Sequence, residues 1–190
     1  MQLTLSSLVL LLSSLATAAP VDASTSSGLA GRAVAGYQGP GVYTFTNAKT
    51  NLRADLLNGN PAPGTSINMW GSSGPYYNAH QYWQIADVGQ GQVIIINNGT
   101  GTLFSAGSGA SDGQSTNCTG QAYPPWRPEA RWTVDNQGSA TGPVLFHSVA
   151  YPSNVMDVLN VDQTFGTNTP IQAALKSGAQ SQQWGLQLHV

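Results

Sequence analysis

Three tryptophans, Trp83, Trp132 and Trp184, recur about fifty residues apart, and this spacing constrains the fold more than any other feature of the chain. Two of them close a Gln-x-Trp triplet, Gln81-Tyr82-Trp83 and Gln182-Gln183-Trp184; the middle copy, Ala130-Arg131-Trp132, keeps the Trp and loses the Gln. An indole supplies a large apolar contact area, and an amide two residues earlier can satisfy backbone groups where a turn enters a core. Gln81, Trp83, Trp132, Gln182 and Trp184 are therefore read as structural. The chain reads as three versions of one unit, about 41–90, 91–140 and 141–190, sharing a core.

Each unit carries the same local signals. Gly41-Val42-Tyr43-Thr44-Phe45-Thr46 alternates apolar and polar residues, the pattern of a half-buried strand. Leu52 to Leu56, Ser66 to Trp70 and Gln81 to Ile85 follow as short strands, separated by turns such as Asn58-Gly59-Asn60-Pro61. The second unit starts at Gln92-Val93-Ile94-Ile95-Ile96 and the third at Val144-Leu145-Phe146-His147. With 22 Gly, 11 Pro and no long helical periodicity, the expectation is an all-β domain of four short strands repeated three times.

The first eighteen residues, with Leu8-Val9-Leu10-Leu11-Leu12 and Ala16-Thr17-Ala18, read as a secretory signal, too short for a membrane span. Residues 19–40 are small and polar and read as a flexible leader before a domain over 41–190. A secreted protein is expected, without membrane insertion. The triplets at Asn98 and Asn117 are N-glycosylation sequons compatible with that location. Cys118 is the single cysteine, so the chain has no internal disulfide framework; it is either a buried apolar residue or a thiol for an intermolecular bridge.

At this point the chain resembles the ricin B-type lectins, also called carbohydrate-binding module family 13, over roughly residues 41–190. The resemblance rests on the Gln-x-Trp repeats, on an Asp in the second strand of a repeat, and on Ile67-Asn68-Met69-Trp70. It implies a pseudo-threefold β-trefoil with up to one shallow sugar site per repeat. In such a site a carboxylate and an amide bind vicinal hydroxyls while an aromatic ring stacks on the sugar; many members take galactose or N-acetylgalactosamine.

The chemistry stands on its own terms. A pyranose has polar edges and a C–H face, so it needs a flat ring and a few directed hydrogen-bonding groups. The first repeat supplies Asp55 as acceptor, Asn68 as amide, Trp70 as platform, and His80 where the family usually has Asn. Tyr77, with Tyr76, either extends that surface or packs as part of the loop. In the third repeat Asp157 and Gln172 match, but Ala174 stands at the platform position; nothing in the sequence brings His147 or Tyr151 there. In the second, the expected alignment puts Ala106 at the carboxylate position and Asn117-Cys118-Thr119 at the amide and platform, leaving no site.

Other classes have less support. A net charge of −2 argues against a nucleic-acid partner. Gly109-Ala110-Ser111-Asp112-Gly113 has the letters of a nucleophile elbow but no helical pattern after it. Glu129 is the only glutamate, and Asp55 and Asp157 would lie in different lobes, too far apart for paired-carboxylate hydrolysis. His80, His147 and His189 lack ligand spacing, so neither metal nor cofactor is expected. The partners expected are glycans, with a homo-oligomer supplying avidity. The rival reading is a protein-binding trefoil, such as a protease inhibitor, working through the loop Tyr123 to Pro128 with its Trp126.

Overall fold

The computed structural model describes residues 36–72, 77–159 and 167–189. The expected signal at 1–18, most of the leader at 19–40, and Tyr76 lie outside the described residues. The described residues form strands joined by turns and short 3₁₀ segments, with no α-helix among them. The first four strands are β1 (Gly41–Asn47), β2 (Arg53–Leu56), β3 (Thr65–Trp70) and β4 (Trp83–Gly89). Then come β5 (Gln92–Asn97), β6 (Leu103–Ala106), β7 (Thr116–Gln121) and β8 (Arg131–Asp135). The last are β9 (Leu145–Ser148), β10 (Asn154–Val158), β11 (Ile171–Leu175) and β12 (Trp184–His189). The all-β expectation is what the structure has.

Antiparallel pairing runs from β12 through β1, β4, β5 and β8 to β9. A bridge between Val144 and Trp184 closes these six strands into a ring. Three hairpins, β2–β3, β6–β7 and β10–β11, stand on it. They join one another through β3–β7, β7–β11 and a bridge between Asn68 and Pro170.

The core lies inside the ring and beneath the hairpins. Phe45 stacks on Phe146 with ring centroids 5.1 Å apart, and Phe104 meets Trp83 and Trp132 edge-on at 5.1 and 5.9 Å. Trp83, Trp132 and Trp184 are fully buried. A buried indole needs a partner for its N–H, and each finds a carbonyl in its own hairpin. Trp83 Nε1 donates to Ala54 O at 3.1 Å, Trp132 to Phe104 O at 2.9 Å, and Trp184 to Met156 O at 3.0 Å.

These three bonds fix which residues correspond. Asp55, Ser105 and Asp157 follow the bonded carbonyls, and across the hairpins they face Asn68, Thr119 and Gln172 in register. The expected alignment of the second repeat is therefore off, by one residue on β6 and by two on β7. Ala106 and Cys118 face each other in the core, so Ser105 holds the carboxylate position, Thr119 the amide position and Gln121 the platform position. Burial also removes the intermolecular-bridge reading of Cys118: it has no exposed surface, and desolvation pushes its thiol far above the ordinary cysteine range.

Candidate functional site

Alternation along β2 sends Ala54 and Leu56 into the core and turns Asp55 to the opposite face. On β3 the same rule buries Ile67 and Met69 and turns Asn68 and Trp70 outward. After β2 the chain makes a 3₁₀ turn, Leu57–Gly59, in which Asn58 and Gly59 have φ of 55° and 60°. A Cβ on Gly59 would lie 2.0 Å from His80 Nε2, so glycine both adopts the left-handed backbone and lets the imidazole lie against the turn. His80 stands in a second 3₁₀ turn, Ala79–Gln81, whose start is capped by Asn78: its Oδ1 accepts the His80 N–H at 3.0 Å.

The two turns and the end of β3 enclose a pocket of about 160 Å³ lined by Asp55, Leu57, Asn58, Trp70, Asn78 and His80. Its parts differ in character. Trp70 is 44% exposed and offers a ring at the wall, whereas Asp55 is 6% exposed. Burial pushes the Asp55 carboxyl above the usual carboxylate range; a hydrogen bond from the Gln81 side chain and the proximity of His80 pull it back. Gln81 also donates Nε2 to Gly71 O at 2.8 Å, tying the turn to the strand end beside Trp70.

Three of the expected sugar contacts, Asp55, Trp70 and His80, are thus gathered around one pocket. Asn68 is not among its lining residues. Its Nδ2 donates to Asn168 Oδ1 and its Oδ1 accepts from Ser66 Oγ, both at 2.6 Å, which commits the amide to neighbouring side chains. Tyr77 does not line it either. Its ring lies 4.5 Å from that of Tyr82, and its hydroxyl accepts from Asn98 Nδ2 at 2.5 Å. Sequence reasoning passed over Leu57, Asn58 and Asn78; the dipeptide Asn58-Gly59 signalled a turn but not that the turn would face His80.

In the third repeat Asp157 and Gln172 face each other and are nearly buried. Asp157 Oδ2 accepts from Gln182 Nε2 at 3.1 Å and Oδ1 from the Val158 N–H at 2.7 Å. Gln182 also donates to Leu175 O at 2.9 Å and accepts from the Ser177 and Gly178 N–H groups at 2.8 and 3.1 Å. Ala174 occupies the platform position, and both suggested substitutes have partners elsewhere. His147 sits 3.8 Å from Asp135, and the Tyr151 hydroxyl donates to Gly107 O at 2.7 Å. Residues 160–166, between β10 and β11 in the sequence, lie outside the described residues.

The Gln residues read as structural do more than fill a turn: in the first and third repeats they hold the outward carboxylate. The second repeat has Ala130 in place of the Gln and Ser105 in place of the Asp. A carboxylate at that depth needs hydrogen-bond partners, so the two losses are physically linked. The glycine-rich stretch around Ser111 is docked on the third repeat, where Asp112 accepts from the Ser153 N–H and Oγ at 2.8 and 2.9 Å. Among the described residues no three His, Cys, Asp or Glu side chains gather to hold a metal, and no helix is long and apolar enough to cross a membrane.

Comparison with known proteins gives this architecture its class. Residues 32–120 match the family described as ricin-type beta-trefoil lectin domain-like. The agglutinin of Rhizoctonia solani is similar at TM-score 0.68 and 22% identity, over 80% of this chain and 98% of that one. ThreeFoil, a designed threefold symmetric protein, is similar at TM-score 0.68 and 19% identity, over 78% and 99%. The Macrolepiota procera ricin B-like lectin, solved with lactose, is similar at TM-score 0.63 and 18% identity, over 80% and 99%. No curated protein sequence matches. The fold is a β-trefoil. Family match and shared fold together support the ricin B-type resemblance that the Gln-x-Trp repeats carried.

Proposed function

We propose that the chain is a secreted, non-enzymatic lectin built of three four-stranded repeats around a pseudo-threefold axis. It takes galactose- or N-acetylgalactosamine-type glycans mainly in the first repeat. The observation that carries this reading is the half-exposed Trp70 ring on the same pocket as the Asp55 carboxylate and the His80 imidazole. A sugar C–H face lies on the indole, Asp55 accepts from adjacent hydroxyls, and Asn58, Asn78 and His80 present further polar groups. Lactose in the Macrolepiota procera lectin supports the galactose side of the reading. Asp157 and Gln172 are a weaker second site without a stacking ring, and Asn68, in register with Asp55, is held by Asn168 and Ser66.

A glycan array of the mature secreted protein, run beside Trp70→Ala, tests the reading. Binding to terminal galactose-type glycans that disappears in the variant is the expected result. Folded protein that binds no glycan overturns it. A homo-oligomer would supply the avidity that one shallow pocket lacks.

The protein-binding alternative keeps one observation. Trp126 is 69% exposed on a loop braced by Arg127 over the Tyr123 ring at 5.2 Å and by Arg131 Nε donating to Pro125 O at 2.9 Å. A rigid loop presenting a large apolar tip suits a protein partner. Loss of activity on Trp126→Ala alone, with Trp70→Ala silent, would favour it.

A further inference from the structure

Outside the pocket, the molecule carries a second aromatic surface beside one of its two sequons. Tyr77 is 61% exposed, and its ring leans on Tyr82, which in turn lies 4.6 Å from the ring of His189. His189 Nε2 is 3.2 Å from Thr44 Oγ1, so the row is anchored to β1. At its outer end the Tyr77 hydroxyl accepts from Asn98 Nδ2, the atom to which an N-glycan is attached. Asn98 is exposed in the turn between β5 and β6, with Thr100 two residues on. Thr100 Oγ1 is held 3.2 Å from Asn97 Oδ1 and 2.8 Å from Thr102 Oγ1.

We propose that Asn98 carries an N-glycan whose first N-acetylglucosamine packs on Tyr77. In the transfer, Asn98 Nδ2 loses a proton and bonds to the anomeric carbon of an oligosaccharide delivered on a lipid pyrophosphate. The sugar–pyrophosphate oxygen bond breaks, and the lipid pyrophosphate leaves with the electron pair. One N–H remains on Nδ2 to donate to the Tyr77 hydroxyl. The new sugar starts within hydrogen-bond distance of the phenol, beside a ring that meets Tyr82 and is largely exposed, and its C–H face packs on that exposed surface. Asn117 makes the contrast: it is also exposed, but it lies inside β7 and is paired in register with Gln172 on β11.

The proposal goes beyond the lectin reading and depends on entry into the secretory pathway. The full chain is therefore expressed in a eukaryotic secreting host twice, with its own N-terminal segment and behind a heterologous secretion signal. Glycosylation only behind the heterologous signal would remove the secretory reading of residues 1–18 and leave the site standing. Peptide mass mapping is expected to find Asn98 modified; secreted protein with Asn98 unmodified overturns the proposal. Trimming to a single N-acetylglucosamine with an endoglycosidase should preserve the melting temperature, and Asn98→Gln should lower it by roughly 2–4 °C. Tyr77→Ala should cost clearly more in glycosylated protein than in Asn98→Gln, where only its contact with Tyr82 is lost. Equal losses from Tyr77→Ala in both backgrounds would show that the sugar and the ring do not touch.

Discussion

Gln182 donates its side-chain amide to the Asp157 carboxylate at 3.1 Å, and the same side chain closes three further hydrogen bonds around the turn before Trp184. The glutamine of the repeat thus links an outward carboxylate to the frame that holds the indole.

Gln182→Ala should destabilise the protein by about 1–3 kcal/mol, because it strips a nearly buried carboxylate and several backbone groups of their partner. Chemical denaturation of the variant measures this. The double variant with Asp157→Ala should lose less than the sum of the two single changes, since the second removes the group that the first leaves unpaired.

Trp70 and Trp184 separate function from fold. Trp184→Ala opens a cavity in the core and should cost about 3–5 kcal/mol. Trp70→Ala, at a half-exposed position, should cost less than about 1 kcal/mol. It should nonetheless weaken glycan binding roughly tenfold, the loss of one stacking contact of about 1.5 kcal/mol. Calorimetry of both variants for stability and binding reads out the two quantities.

Burial raises the Asp55 carboxyl, so its charge is lost on acidification earlier than for an ordinary carboxylate. Glycan affinity should therefore begin to fall with decreasing pH while exposed carboxylates are still ionised, and Asp55→Asn should lack that acid limb. The stability sign is opposite. A group with a raised folded-state value favours folding below its unfolded-state value, and that contribution disappears as pH rises through the folded-state value. Asp55→Asn should thus gain stability relative to the parent at neutral pH while binding more weakly. Thermal melts across pH decide it.

Asp112 behaves in the other direction. The backbone and side-chain hydrogen bonds from Ser153 lower its carboxyl, so its contribution is present above the unfolded-state value and is lost as pH falls through the folded-state value. Hydrogen-exchange protection around Ser111 and Ser153, taken relative to the intrinsic rate at each pH, should fall on acidification in the parent, whereas Asp112→Asn should show less of that change.

The tryptophan spacing was enough to read a shared all-β core, because a buried indole with its N–H bonded inside one hairpin forces a fixed relation between strands. The first repeat was readable for the same reason: Asp55 and Trp70 alternate out of strands whose other residues are plainly apolar. The second repeat was misaligned, by one residue on β6 and two on β7, because its Gln and Asp are both gone. The bond from Trp132 to Phe104 O and the pairing of β6 with β7 set its register. Asn58 and Asn78 escaped notice because what matters about them is that two turns, twenty residues apart, face each other. Tyr77 was legible only as extending the site or packing in its loop, because its direction depends on Tyr82 and Asn98, which no local pattern announces.

Strand β1 runs beside β12 over six residue pairs, from Val42 with His189 to Asn47 with Trp184. The two ends of the domain are therefore neighbours, and the lobes have no physically first or last member. A gene rearranged to join 189 to 41 by a short linker and to open at the turn Gly89-Gln90-Gly91 would encode the same ring in a different order. Where translation begins is, for this architecture, an accident of cutting a circle.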